Sequence, residues 1–325
     1  MRFATALRST PPLTPCVAAA ALALAVGSLP ALASGSGLRA LRVDTLADLE
    51  GGTGGITVGV DGTVYSSEFG NWLGQVPEGE KRGGTRIWKV TPDGEVSVLY
   101  DGIWGASGSA IDPEGHFYQS NIGANRITKV TPDGEASTYS DQGLFNPVGI
   151  EIDPEGTLWV ANCGSGAIQK IVPGGESTES TVFLRSELLK CPNGITRGPD
   201  GTLYVANFMD GNVVRVTPEG KADVLATLPG GNNGHLIYAH DALWVVARAA
   251  HQIYRVDPRS GDQVLVAGSG EQGGEDGAPL EASFSLPNDL GWSPDGSILY
   301  VNEVADEESD GQKLYPTRVR RIFFE

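Results

Sequence analysis

One short pattern occurs six times in this chain, and it restricts the fold more than any other feature. A tight turn leads at once into a short apolar strand. The copies are Asp61-Gly-Thr-Val-Tyr65, Glu114-Gly-His-Phe-Tyr118, Glu155-Gly-Thr-Leu-Trp159, Asp200-Gly-Thr-Leu-Tyr204, Asp241-Ala-Leu-Trp244 and Asp295-Gly-Ser-Ile-Leu-Tyr300. A companion strand follows each, as Arg86-Ile-Trp-Lys-Val, Arg126-Ile-Thr-Lys-Val, Ala167-Ile-Gln-Lys-Ile, Asn212-Val-Val-Arg-Val, Gln252-Ile-Tyr-Arg-Val and Arg318-Val-Arg-Arg-Ile. Asp-Gly and Pro-x-Gly turns between strands of five or six residues mark antiparallel hairpins. Successive turns lie about 40 to 55 residues apart, the spacing of four-stranded propeller blades. No stretch sustains a helical period.

The pattern predicts an all-β chain, a six-bladed β-propeller of four-stranded antiparallel blades. The sixth copy stops after its third strand, at Phe324-Glu325, while Arg42-Val-Asp-Thr-Leu-Ala-Asp48 resembles the fourth strand Lys221-Ala-Asp-Val-Leu-Ala-Thr227. The N-terminal strand is therefore expected to complete the last blade, closing the ring and hiding an open edge. The aromatic residues at the repeat position read as core between blades.

Residues 1–33 read as a secretory signal peptide. Arg2 and Arg8 precede an apolar run from Val17 to Val26, and Ala31-Leu-Ala33 is a small-x-small cleavage signal. Residues 34–325 are then a single exported domain, secreted or periplasmic. The apolar run is too short to span a bilayer comfortably, and nothing later is longer, so no membrane insertion is expected. A net charge of −17 disfavours nucleic acid, whose phosphates need clustered Lys and Arg.

In a propeller, the starts of innermost strands and the ends of second strands share one face. The starts are Gly54, Ser107, Val148, Asn193, Asn233 and Asn288; the ends are Glu68, Asn121, Asn162, Asn207, Ala247 and Glu303. Amide and carboxylate oxygens at one channel mouth suit a hard cation. A strand-end Asn also commonly bonds its own turn, which fits the repetition of Asn121, Asn162 and Asn207. Glu68 and Glu303 break that pattern in blades that become neighbours on closure. Insertions at residues 69–85 and 304–316 accompany them and should overhang the same mouth. The expected site is a pocket over that junction, floored by Glu68, Glu303, Asn288 and Asp289, with the two glutamates as catalytic candidates and His235, two residues after Asn233, as a further one facing the channel. Asn288, Asp289 and Asn207 are ligand-binding candidates, and Asn193 and Asn233 are metal-ligating ones. Cys163 and Cys191 fall on the same face of adjacent blades, so a disulfide is expected, worth about 3–4 kcal/mol in the chain-entropy model.

The unit Pro192-Asn-Gly-Ile…Pro-Asp-Gly-Thr-Leu-Tyr-Val-Ala-Asn207 resembles that of the senescence-marker-protein/gluconolactonase-like propellers, and equally that of NHL-repeat propellers. The segment from Gly268 to Asn288 leans to the NHL type. In the lactonase branch the resemblance implies a channel Ca2+ held at innermost-strand starts. Asn193 and Asn233 occupy two of its positions, and Gly54 and Val148 the others; a shifted site would use Asn288 or Glu68. The related streptogramin lyases use a His/Glu pair, whose blade-four positions are Asn193 and Asn207 here. Two functions follow as expectations. One is a metal-dependent hydrolase acting on a small-molecule lactone or ester. The other is a non-catalytic propeller binding a carbohydrate, peptide or protein partner.

Overall fold

A computed structural model describes residues 37–173, 178 and 180–325; the expected signal peptide lies outside them. Six sheets of four strands form the domain, and each follows chain order from channel to rim except the last. Blade one comprises Thr53–Val58, Val64–Glu68, Arg86–Val90 and Val96–Asp101. Blade four comprises Pro192–Arg197, Leu203–Asn207, Asn212–Val216 and Ala222–Thr227. In the last blade, Asp289–Trp292, Ile298–Val304 and Thr317–Phe324 are followed outward by the N-terminal strand Ala40–Leu49. The closure expected from the sequence is thus present, and it is antiparallel. Charge pairing reinforces it: Arg321 Nε lies 2.7 Å from Asp44 and Arg318 Nε 3.0 Å from Asp48. Among the described residues no helix is long and apolar enough to cross a membrane.

Each blade buries both faces, because each is covered by two neighbours. Tyr118, Tyr204, Trp244 and Tyr300 are all buried, as their repeat position predicts. Trp244, for example, packs edge-on against Trp292 and Phe324 with centroids 5.0 and 5.3 Å away.

Around the channel the blades meet through backbone. A Cβ on Gly149 would lie 2.4 Å from Asn193 O, and one on Gly234 would lie 2.1 Å from Asn288 O, so only glycine allows these approaches. A β-bulge beside the first pair of strands accompanies the glycine in blades one to four. Blade six has Asp289 at that place instead. Its Oδ2 accepts a hydrogen bond from Ile56 N–H of blade one at 2.9 Å, sealing the ring where the chain ends meet.

Candidate functional site at the channel mouth

The cavity where innermost strands begin has a volume of about 200 Å³. Two sets of repeat positions line it. The first is the innermost-strand starts, including Gly54, Ser107, Val148, Asn193 and Asn288. The second is the residue just after each second-strand end: Phe69, Ile122, Cys163, Phe208 and Arg248. The two insertions cover one side, as expected, and hydrogen-bond to each other. Leu73 N–H donates to Gln312 O and Leu314 N–H to Asn71 O, both at 2.9 Å, which holds Leu73 and Leu314 over the cavity. The Cys163–Cys191 disulfide is formed and lies in the wall.

Apolar side chains and a few hydroxyl and amide groups make up this wall, and its one charged side chain is Arg248. Its side chain is 4% exposed. Nη1 donates to Leu286 O at 2.7 Å, Pro287 O at 3.4 Å and Asn288 Oδ1 at 3.3 Å. Among the described residues no carboxylate pairs with it, and burial alone lowers its pKa to about 10. The nearby His251 supplies no counter-charge: its Nδ1 accepts from Leu286 N–H at 3.1 Å, and burial, then Arg248, lowers its pKa.

The two glutamates expected to floor the pocket do not line it. Both point into their own blades. Glu68 accepts Thr85 N–H at 3.0 Å, Arg86 N–H at 3.2 Å and the Trp88 indole N–H at 2.7 Å, and its carboxylate pairs with Arg86 Nε at 3.0 Å. Glu303 accepts Arg320 Nη1–H at 2.7 Å and Ser285 N–H at 2.9 Å; burial pushes its pKa up to about 7 against the pull of Arg320. A second-strand end is one strand removed from the channel, so it reaches loops, not ligands. The Asn residues at that rank do the same. Asn121 Oδ1 accepts Ala124 N–H, Asn162 Oδ1 accepts Phe145 N–H, and Asn207 Nδ2 donates to Leu188 O at 2.7 Å. Glu68 is the version of this anchor that holds the end of its insertion, through Thr85 N–H, whereas Glu303 holds Ser285 of the preceding loop and Arg320.

The remaining candidates separate. Asn193 and Asn288 line the cavity; Asn193 Nδ2 donates to Asn233 O at 3.2 Å, and Asn288 Nδ2 to Gly54 O at 2.8 Å. Asn233 turns away, donating to Asn212 O at 3.2 Å. Asp289 and His235 belong to a second cavity of about 270 Å³ at the opposite end of the channel. His235 crosses the ring: a Cβ on Gly108 of blade two would lie 3.1 Å from its Cε1. Its Nδ1 is 3.4 Å from Asp289 Oδ2, and its buried Nε2 has no hydrogen-bond partner among the described residues. Desolvation raises the Asp289 pKa, opposed by His235 and by the N–H groups of Ile56 and Leu290. Glu151 shares that lower cavity, where burial raises its pKa to about 8.

Residues 40–263 match the virginiamycin B lyase family. The chain belongs to that family. No curated protein matches it. Solved structures similar to this family member include a catalytically inactive virginiamycin B lyase variant from Staphylococcus aureus with quinupristin (18% identity, 88% of this chain and 98% of that one, TM-score 0.57). A gluconolactonase from Xanthomonas campestris is similar at 16% identity, over 88% and 90% of the two chains, with a TM-score of 0.65. The nidogen/laminin complex contributes another at 17% identity, over 82% and 86%, with a TM-score of 0.56. At these identities the likeness is one of fold, and it agrees with the gluconolactonase-like and NHL resemblance of the repeats.

A calcium ion at the place that the lactonase resemblance implies fits this wall poorly. No residue lining the upper cavity is a carboxylate, and Gly54 and Val148 offer no side-chain oxygen. Asn207 Oδ1 and Asn233 Oδ1 are buried without partners among the described residues, but both are neutral. Calcium sites combine six to eight oxygens with anionic ligands, and a guanidinium in the wall opposes a cation. The one group of three clustered metal-ligating side chains among the described residues, Asp112, Glu114 and His116, lies at a hairpin turn outside the channel.

Proposed function

We propose that this family member is an exported, non-catalytic propeller that binds an apolar small molecule at its upper channel mouth. The observation that carries the reading is the composition of that cavity. Side chains of Phe69, Leu73, Phe208 and Leu314 surround a few amide and hydroxyl groups, and no carboxylate or histidine among the lining residues can move a proton. Binding pockets are built this way, with apolar walls and few convergent polar groups. Acid–base catalysis needs a titrating group within hydrogen-bond reach of the reacting atoms. Export is part of the proposal, supported by the residues 1–33 pattern and by a disulfide suited to an oxidising compartment. The reading requires no divalent ion.

The test is a titration of the purified protein with the neutral apolar fluorophore N-phenyl-1-naphthylamine. Saturable enhancement at one site is expected, equal in EDTA and in calcium, and abolished by Val148→Trp. Calcium-dependent binding, or calcium-dependent turnover of a γ-lactone, would overturn it.

A second reading, a lyase or hydrolase related to the enzymes this fold resembles, draws on the His235–Asp289 pair. On this reading Nε2, buried and without a hydrogen-bond partner among the described residues, would serve as the base once the channel opens to a molecule. Turnover lost in His235→Ala with the melting temperature retained would favour this second reading.

A further inference from the structure

We propose that the upper cavity selects organic carboxylates, an anionic head pairing with Arg248 and an apolar body lying against Phe69, Phe208 and the two lid leucines. The inference rests on the small-molecule reading above and names the chemical class that reading leaves open.

A guanidinium has five N–H groups, and every one recorded against protein for Arg248 leaves from Nη1. Nε and Nη2 have no protein acceptor among the described residues, and neither is a buried atom sealed from solvent. Those two nitrogens form the side edge of the guanidinium, the edge that meets a carboxylate through two parallel hydrogen bonds. The three bonds from Nη1 fix the group so that this edge is pre-oriented.

Charge points the same way. A buried cation is normally matched by an acid, and this molecule has acids in excess, with a net charge of −17. Elsewhere it follows the rule: Arg320, fully buried, pairs with Glu303 and Asp276. Arg248 has no such match, and the potential partners nearest in the repeat, Glu68 and Glu303, are committed to other groups. Desolvation without a counter-charge depresses its pKa, as expected for a buried cation that no acid of the protein neutralises. The apolar wall then distinguishes an organic acid from a simple inorganic anion.

The experiment is displacement of bound N-phenyl-1-naphthylamine at neutral pH by phenylacetate, by phenylacetamide and by acetate. Phenylacetate is expected to displace it at least tenfold better than either of the others, and Arg248→Gln should reduce phenylacetate to the level of the amide. Equal potency of acid and amide on the wild-type protein overturns the anion assignment while leaving the cavity reading intact. Failure of the fluorophore itself to bind overturns the cavity reading. The wild-type comparison decides the proposal even if Arg248→Gln does not fold.

Discussion

Two buried arginines, Arg320 in the last blade and Arg248 in the fifth, occupy opposite situations in one fold. Arg320 is surrounded by oxygens that the protein supplies: Glu303 at 2.7 Å, Asp276 at 2.9 Å and the Ser283 carbonyl at 3.0 Å. Arg248 meets only carbonyl and amide oxygens, through one nitrogen, at the wall of a cavity. A charge satisfied inside the protein is part of the architecture, and removing it should cost stability. A charge left unmatched beside a cavity is available to a ligand, and removing it should cost binding instead.

The largest expected effect belongs to Arg320 and its acid. Glu303→Ala, which leaves the Arg320 cation buried without its closest acid, should destabilise the protein by about 3–5 kcal/mol in denaturant unfolding. A change under about 1 kcal/mol would mean that the pair is dispensable. Replacing both Cys163 and Cys191 by serine should cost about 3 kcal/mol, because the bridge joins blades three and four at the mouth. It should leave calcium-independent fluorophore binding measurable below the lowered melting point.

A pH series sharpens the comparison next. Glu151 and Asp289 have folded pKa values raised by burial, to about 8 for Glu151. The folded state therefore holds protons that the unfolded state has released between about pH 4.5 and 8. Their contribution to stability is greatest at the acid end of that window and is lost as pH rises through it. A fall of a few degrees in melting temperature is expected across the window, and Glu151→Gln should flatten it. A rise over the same range would contradict these assignments. The smallest effect belongs to a single strand-end anchor: Asn121→Ala, which frees Ala124 N–H, should cost about 1 kcal/mol by chemical denaturation with no change in fluorophore binding.

Much of this was legible in the sequence because it is local and repeated. Turn residues and strand lengths specify each blade, the truncated sixth copy specifies the closure by Ala40–Leu49, and blade position brings Cys163 to Cys191. The insertions overhang the expected mouth for the same reason. The site was less legible, because a strand end places a residue on a face without saying where its side chain turns. Glu68 and Glu303 stand at the expected face, yet Trp88, Arg86 and Arg320 from their third strands draw them into the blades. Asn233 and Asp289 are likewise taken up by neighbouring backbone. Arg248 was missed, although a signal existed. It follows Ala247, the one small apolar residue among the six strand ends, and it shares its repeat position with the apolar Phe69, Ile122, Cys163 and Phe208. A single cation in an apolar register of the repeat is the pattern that marks it.

The most direct measurement is thermal unfolding of Arg248→Gln and Arg320→Gln side by side with the wild-type protein. Arg248→Gln loses hydrogen bonds to Leu286, Pro287 and Asn288 but also removes a buried charge that no acid compensates, so that variant should melt within about 4 °C of wild type. Arg320→Gln should melt more than about 6 °C lower, since it strands Glu303 in the core. Equal, large losses in both would place Arg248 in the architecture and contradict its assignment to a ligand.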